Sequence, residues 1–160
     1  MKNISTKCQI EFQVKSIAEG GKDDLERRLV YRHSDGNPEA VLPELEEFMQ
    51  WNDGRNNEVE YMTANFIYWG KRKREELLKF QNNEAWKNSE HYLLRTGYGV
   101  CENNEFHADI NFFYEVIACE YNPDIAIKCY TVNDSEEHIN RDNFQFVKEA
   151  NYDGVQKVWV

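Results

Sequence analysis

Cys8-Gln9-Ile10-Glu11-Phe12-Gln13-Val14-Lys15-Ser16-Ile17 is the stretch whose reading decides the fold. Cys8, Ile10, Phe12 and Val14 alternate with Gln9, Glu11, Gln13 and Lys15, the two-residue period of a strand with one apolar and one polar face. A polar turn at Gly20-Gly21 and Asp23-Asp24 leads to a second strand, Arg28 to His33, and the pair forms a hairpin with a longer loop. Ser34-Asp35-Gly36-Asn37-Pro38 then reverses the chain, because Asp-Gly and Asn-Pro both favour turns. The apolar face of this hairpin needs a cover, and the next segments supply helices. Pro43 suits the first turn of a helix through about Trp51, where a missing N–H costs nothing, and Glu44, Glu46 and Glu47 suit the positive end of its dipole. Leu42, Leu45, Phe48 and Met49 form its buried stripe, and Asn52-Asp53-Gly54 stops it. A longer helix follows from about Glu58 to Phe80, with Val59, Met62, Phe66, Trp69 and Leu77 near helical spacing and Gly70 as a point of bending or splitting.

Beyond an ambiguous segment, Asn82 to Leu94, with a short helix around Ala85-Trp86, the chain reads as short strands. These are Gly97 to Cys101, Ile110 to Cys119, Ile125 to Val132, Phe144 to Val147 and Val155 to Val160, the last two flanking a turn at Asn151 to Gly154. Strands, then helices, then strands predict an α+β domain: a mainly antiparallel sheet with two helices on one face, Val59, Met62 and Phe66 packing through Phe12, Val30 and Ile127. No repeat or linker interrupts residues 1–160, which are read as a single domain.

Composition narrows the function classes. With 160 residues, 41% of them hydrophobic and 14% aromatic, the chain can bury one core, which excludes wholesale disorder. Nineteen Lys and Arg against 29 Asp and Glu leave a formal charge of -10, which repels phosphate backbones and excludes non-specific nucleic-acid binding. No apolar run approaches the ~18 residues of a membrane span. Cys8, Cys101, Cys119 and Cys129 contain no C-x-x-C pair, and Met1 to Lys7 lacks the apolar core of a signal peptide, so reduced thiols and a cytoplasmic location are expected.

Two stretches share a His-x-Asp grammar: His33-Ser34-Asp35 closing the second strand and His107-Ala108-Asp109 opening a long one. Residues i and i+2 of a strand share a face, so two imidazoles and two carboxylates could converge, a set that suits a divalent transition metal or acid–base chemistry. The structural alternative gives Asp35 an Asx-turn, Gly36 a positive φ and His33 a loop-pinning hydrogen bond, and both readings stand at this point. The candidate ligand-binding set is Arg32, His33, Asp35, Gly36, Tyr98, His107 and Asp109, with no metal or cofactor assigned. Lys71-Arg72-Lys73-Arg74, the one basic block, follows Phe66-Ile67-Tyr68-Trp69 and reads either as a solvated helix face or as a phosphate contact beside rings that could stack a base, among them Trp51, Trp69, Trp86 and Tyr98. Neither Gly-x-x-x-x-Gly-Lys nor Gly-x-Gly-x-x-Gly occurs, and no Gly-x-Ser-x-Gly marks a nucleophile.

Leu29-Val30-Tyr31-Arg32-His33-Ser34-Asp35-Gly36-Asn37-Pro38-Glu39, Glu60-Tyr61-Met62-Thr63-Ala64, Gly97-Tyr98-Gly99-Val100 and His107-Ala108-Asp109-Ile110 with Phe113-Tyr114 resemble, in order, a family of small uncharacterised phage and prophage proteins. That family has a Tyr-Arg-His-x-Asp-Gly-Tyr-Pro motif and a His-Gly-Asp-Ile strand; Asn37 and Ala108 depart from it. The resemblance covers roughly residues 8 to 132 and implies a setting, not an activity: an accessory protein in the host cytoplasm. The leading expectation is a protein that inhibits or sequesters a host component, either a defence protein or a small nucleotide signal, its partner being a host protein or a small anionic ligand. The alternative is a small hydrolase of phosphoester or nucleotide substrates, with His33 and His107 as acid and base and Asp35 and Asp109 orienting them.

Overall fold

Cys8–Ile17 (β1) pairs on both sides, and its two neighbours organise the molecule. On one side Asp23–Arg32 (β2) runs antiparallel to it, from Cys8 opposite Arg32 to Ile17 opposite Asp23. On the other, Phe112–Cys119 (β4) runs parallel, from Cys8 opposite Phe112 to Lys15 opposite Cys119. Parallel neighbours need a long crossover. Here it contains Pro38–Trp51 (α1), Val59–Gln81 (α2) and the short strand Tyr98–Cys101 (β3). The computed structural model describes residues 6–17, 21, 23–81, 97–133 and 139–160. Among them, Asn122–Val132 (β5), Phe144–Asp153 (β6) and Val158–Trp159 (β7) complete a seven-stranded sheet in the order β3-β2-β1-β4-β5-β6-β7, antiparallel at every junction except β1–β4. The fold is α+β, with the helices packed against the sheet. The segment around Ala85-Trp86 lies outside the described residues.

The even-numbered side chains of β1 meet the helices. Cys8, Ile10, Phe12 and Val14 join Val30, Val116 and Ile127 beneath Val41, Leu45 and Phe48 of α1 and Val59, Met62, Phe66 and Trp69 of α2. Phe66 is the hub, its ring 5.2 Å from those of Phe12 and Phe48 and 5.3 Å from Tyr98. No helix among the described residues is long and apolar enough to cross a membrane.

Several boundaries differ from the sequence reading: the β1–β2 ladder runs out to Ile17 opposite Asp23, so Asp23-Asp24 belong to β2 and not to the turn, and β5 begins at Asn122. The first helix starts at Pro38, not near Pro43: Pro38 takes the permissive first position after an extended Asn37, and Val41 continues the Leu45 and Phe48 stripe back by a turn. Pro43 therefore sits inside α1, where it cannot donate to the Glu39 carbonyl. Gly70 does not split α2, which is continuous from Val59 to Gln81. The last two strands are unequal because the β5–β6 ladder, eased by a bulge at Cys129/Tyr130, carries β6 on to Asp153 and leaves two residues for β7.

The second face of the sheet is less polar in its exposure than its composition suggests. Gln9, Glu11 and Gln13 are buried there, Gln9 beside Phe113 of β4, whose ring packs with Phe106, Phe144 and Arg141. Glu11 is 0% exposed; its carboxylate accepts from Arg141 Nη2 and from Gln13 Nε2, each at 2.6 Å. Gln13 Nε2 also lies 2.6 Å from Glu115, whose other oxygen accepts from the Tyr130 hydroxyl at 2.5 Å. Long polar side chains can be buried when their heads are paired, which is what this chain of contacts provides.

Candidate functional site

Strand geometry divides the Tyr31-to-Gly36 motif at the end of β2. Arg32 follows Val30 on the helix face, whereas Tyr31 points to the opposite one. Arg32 is only 5% exposed; its Nε donates to the Ser34 carbonyl at 2.8 Å, its Nη1 donates to Glu44 of α1, and its guanidinium stands 5.8 Å from the Tyr98 ring centre. Burial pushes the Tyr98 phenol up to about 12, so it stays protonated beside the cation.

A cleft of about 80 Å³ opens at this point between the end of β2, α2 and the start of β3. Four of its ten lining residues are cations, Arg32, Lys71, Lys73 and Arg74, against one carboxylate, Glu44. Gly70, Lys73, Arg74 and Leu77 recur at helical spacing, so one face of α2 forms a wall. Carboxylates outside the lining orient two of these cations: Glu47 lies 2.6 Å from Lys73 Nζ, and Asp35 lies 3.0 Å from Arg74 Nη1. Arg74 Nη2 also donates to the Ser34 hydroxyl at 3.0 Å. Such solvent-facing pairs contribute about 0–1 kcal/mol, so an anion with better geometry can replace either carboxylate at small cost.

On the other side of the strand end, Tyr31 gathers the histidines. Its ring stacks on His107 at 4.4 Å and 20°. Its hydroxyl donates to Asp109 Oδ2 at 3.4 Å and lies 3.4 Å from His33 Nδ1. Lys7 Nζ lies 3.3 Å from the same Asp109 oxygen, and the His107 backbone N–H donates to Gln9 Oε1 at 2.9 Å. Burial first, then the Asp109 charge, pushes the Tyr31 phenol up to about 12.

Of the seven residues singled out in the sequence, His33, His107 and Asp109 thus meet around Tyr31, while Arg32, Tyr98 and Asp35 stand at the cleft. His107 to Asp109 form a loop, not the start of a strand: the N–H groups of Asn111 and Phe112 both turn to the Lys7 carbonyl, and β4 begins only there. The positive φ of the turn falls on Asp35, at 54°, and not on Gly36. Gly36 serves close approach instead, since a Cβ there would lie 2.8 Å from the Lys7 carbonyl carbon and 2.9 Å from Cys8 N. Its carbonyl accepts from the Tyr114 hydroxyl at 2.7 Å.

No protein-family model, curated protein or solved structure matches the chain. The site is therefore read from its own chemistry. Ser34, Glu44 and Gly70 escaped the sequence reading, as did the Glu11, Gln13, Glu115 and Arg141 contacts of the second face. For the latter a signal exists in Glu115, the one charge within the apolar run Phe112 to Cys119, and in three long polar side chains alternating along the central strand.

Proposed function

We propose that the protein is a binding protein for a small phosphate-bearing anion, held in the cleft around Arg32. One observation carries this reading: a chain of net charge -10 concentrates four cations and one carboxylate on the walls of a single small cleft. Arg32 supplies a buried, pre-oriented guanidinium of the kind that recognises phosphate oxygens, and Lys73 and Arg74 add cations at the rim. Pre-orientation matters because little side-chain freedom is then lost on binding. In the phage setting that the motifs imply, such a protein sequesters a small nucleotide signal of the host. Its acidic exterior also suits a basic host protein as partner.

Calorimetry with inorganic pyrophosphate tests the binding reading. Lys73→Glu and Arg74→Glu each reverse an outward-facing charge and should weaken binding by about tenfold or more while leaving the fold intact. Rising salt should weaken it further. Absence of binding, or binding indifferent to both substitutions, contradicts the proposal.

A second reading, hydrolysis of a phosphoester by His33 and His107, draws on the meeting of His33, His107 and Asp109 at Tyr31. It requires turnover of substrate, whereas sequestration ends at one bound ligand per chain.

A further inference from the structure

A second concavity, of about 220 Å³, opens on the outer side of the same helix pair and shares Lys73 with the cleft. Its walls include Trp51, from the end of α1, and Tyr68 of α2, which are 52% and 53% exposed. Both are large rings left in water beside an open space, unlike Phe66 or Trp69, which the core absorbs. Their centres are 6.5 Å apart and their planes differ by 33°. A ligand ring stacked on one of them needs about 3.5 Å, the optimal carbon–carbon contact, and the concavity they line has room for it.

The two concavities divide their labour by charge. The slot is lined by Arg72 and Lys73 against Glu47 and Glu76, whereas the lining of the cleft has four cations and one carboxylate, with Glu47 and Asp35 just outside it on Lys73 and Arg74. The Arg72 guanidinium is held over Tyr68, donating to its hydroxyl at 3.0 Å, and Lys73 Nζ stands 5.6 Å from the Trp69 ring centre. An uncharged aromatic group fits the slot and an anion fits the cleft. From Tyr68 to Arg74 the rise along α2 is about 9 Å, a span that one molecule carrying both groups can bridge.

We propose that the slot between Trp51 and Tyr68 receives the nucleobase of a ligand whose phosphates occupy the cleft, so that the ligand class is a nucleoside phosphate. The proposal rests on the phosphate reading of the cleft and adds the ring. Every base presents a π-face, and loss of one base–aromatic stack costs about 1–3 kcal/mol, which corresponds to about 5- to 150-fold in affinity.

The test compares ADP with inorganic pyrophosphate on the full chain. ADP should bind at least about fivefold more tightly than pyrophosphate. Trp51→Ala should remove that advantage without changing pyrophosphate affinity, Trp51→Phe should restore much of it, and Tyr68→Ala should act like Trp51→Ala. Equal affinity for the two probes, or equal losses for both on Trp51→Ala, overturns the slot while leaving the cleft standing. Failure of both probes to bind overturns the cleft and the slot together.

Discussion

Tyr98 lays its phenol ring directly on Gly70: a Cβ at position 70 would lie 2.5 Å from the Tyr98 ring carbon Cζ and from its hydroxyl oxygen. Glycine in the middle of a helix costs about 1 kcal/mol relative to alanine, so its presence inside α2 needs a compensating contact, and Tyr98 is that contact. Gly70→Ala gains the helix term but forces the ring aside, an overpacking cost of about 1–3 kcal/mol. The net expectation is destabilisation, with weaker pyrophosphate binding because Tyr98 and Arg32 share the cleft. A higher melting temperature for Gly70→Ala would refute this account of the glycine.

Phe66 is fully buried among Phe12, Phe48, Trp69 and Tyr98. Phe66→Ala should cost about 3–5 kcal/mol in urea denaturation, as expected for loss of a whole buried ring. Trp51→Ala, at a half-exposed ring, should cost far less, and the contrast separates the core-facing from the outward aromatics of the helix pair.

Glu11 is wholly enclosed on the second face and pairs with Arg141 at 2.6 Å and with Arg27 Nε at 3.9 Å. Arg141→Met removes the nearer of two cations from a buried carboxylate, leaving Arg27 Nε at 3.9 Å, and should cost about 1–3 kcal/mol. Glu11→Gln should cost less in the Arg141→Met background than in the parent, because the charge that needed neutralising is already the liability. Additive losses in the double-mutant cycle would mean the two side chains do not act as a unit.

Alkaline pH should destabilise the protein. Burial pushes the Cys8 thiol from 9.0 up to about 12, and the Tyr98 phenol from 10.0 to about 12. Both groups keep their protons in the folded state after the unfolded chain has lost them, so the unfolded state binds fewer protons and stability falls as pH rises. Their contribution is complete below about pH 9 and is lost progressively as pH climbs toward 12. Urea midpoints measured from pH 7 to 11 should decline beyond pH 9, with a shallower decline in Cys8→Ala. In the same vein all four cysteines are free thiols. Cys8 should resist alkylation until the chain unfolds, and denatured protein without reductant should titrate four thiols.

Much of the fold is legible in the sequence because it rests on periodicity. The alternation of Cys8 to Val14 and the stripe Val59, Met62, Phe66, Trp69 each display an apolar face that has to meet the other. Start and stop points are less legible, since Pro38 and Pro43 satisfy the same local rule and only the burial of Val41 favours the former. The site is legible in part. Arg32 and Tyr98 stand out in the sequence, but the cleft depends on the absence of a side chain at Gly70 and on Glu44 reaching back from α1, which are tertiary facts with no local signature. The polar residues of β1 mislead in the opposite sense: alternation predicts a solvent face, and Arg141, from the far end of the chain, encloses it.

The central claim is that the cleft around Arg32 takes a phosphate-bearing anion. Amide chemical-shift mapping during titration with inorganic pyrophosphate addresses it most directly, because the cleft and the Tyr31 cluster lie on opposite sides of one strand end. The account predicts saturable shifts concentrated at Ser34, Gly70, Lys73, Arg74 and Tyr98. Shifts concentrated instead at Tyr31, His107 and Asp109, or none at millimolar pyrophosphate, would contradict it.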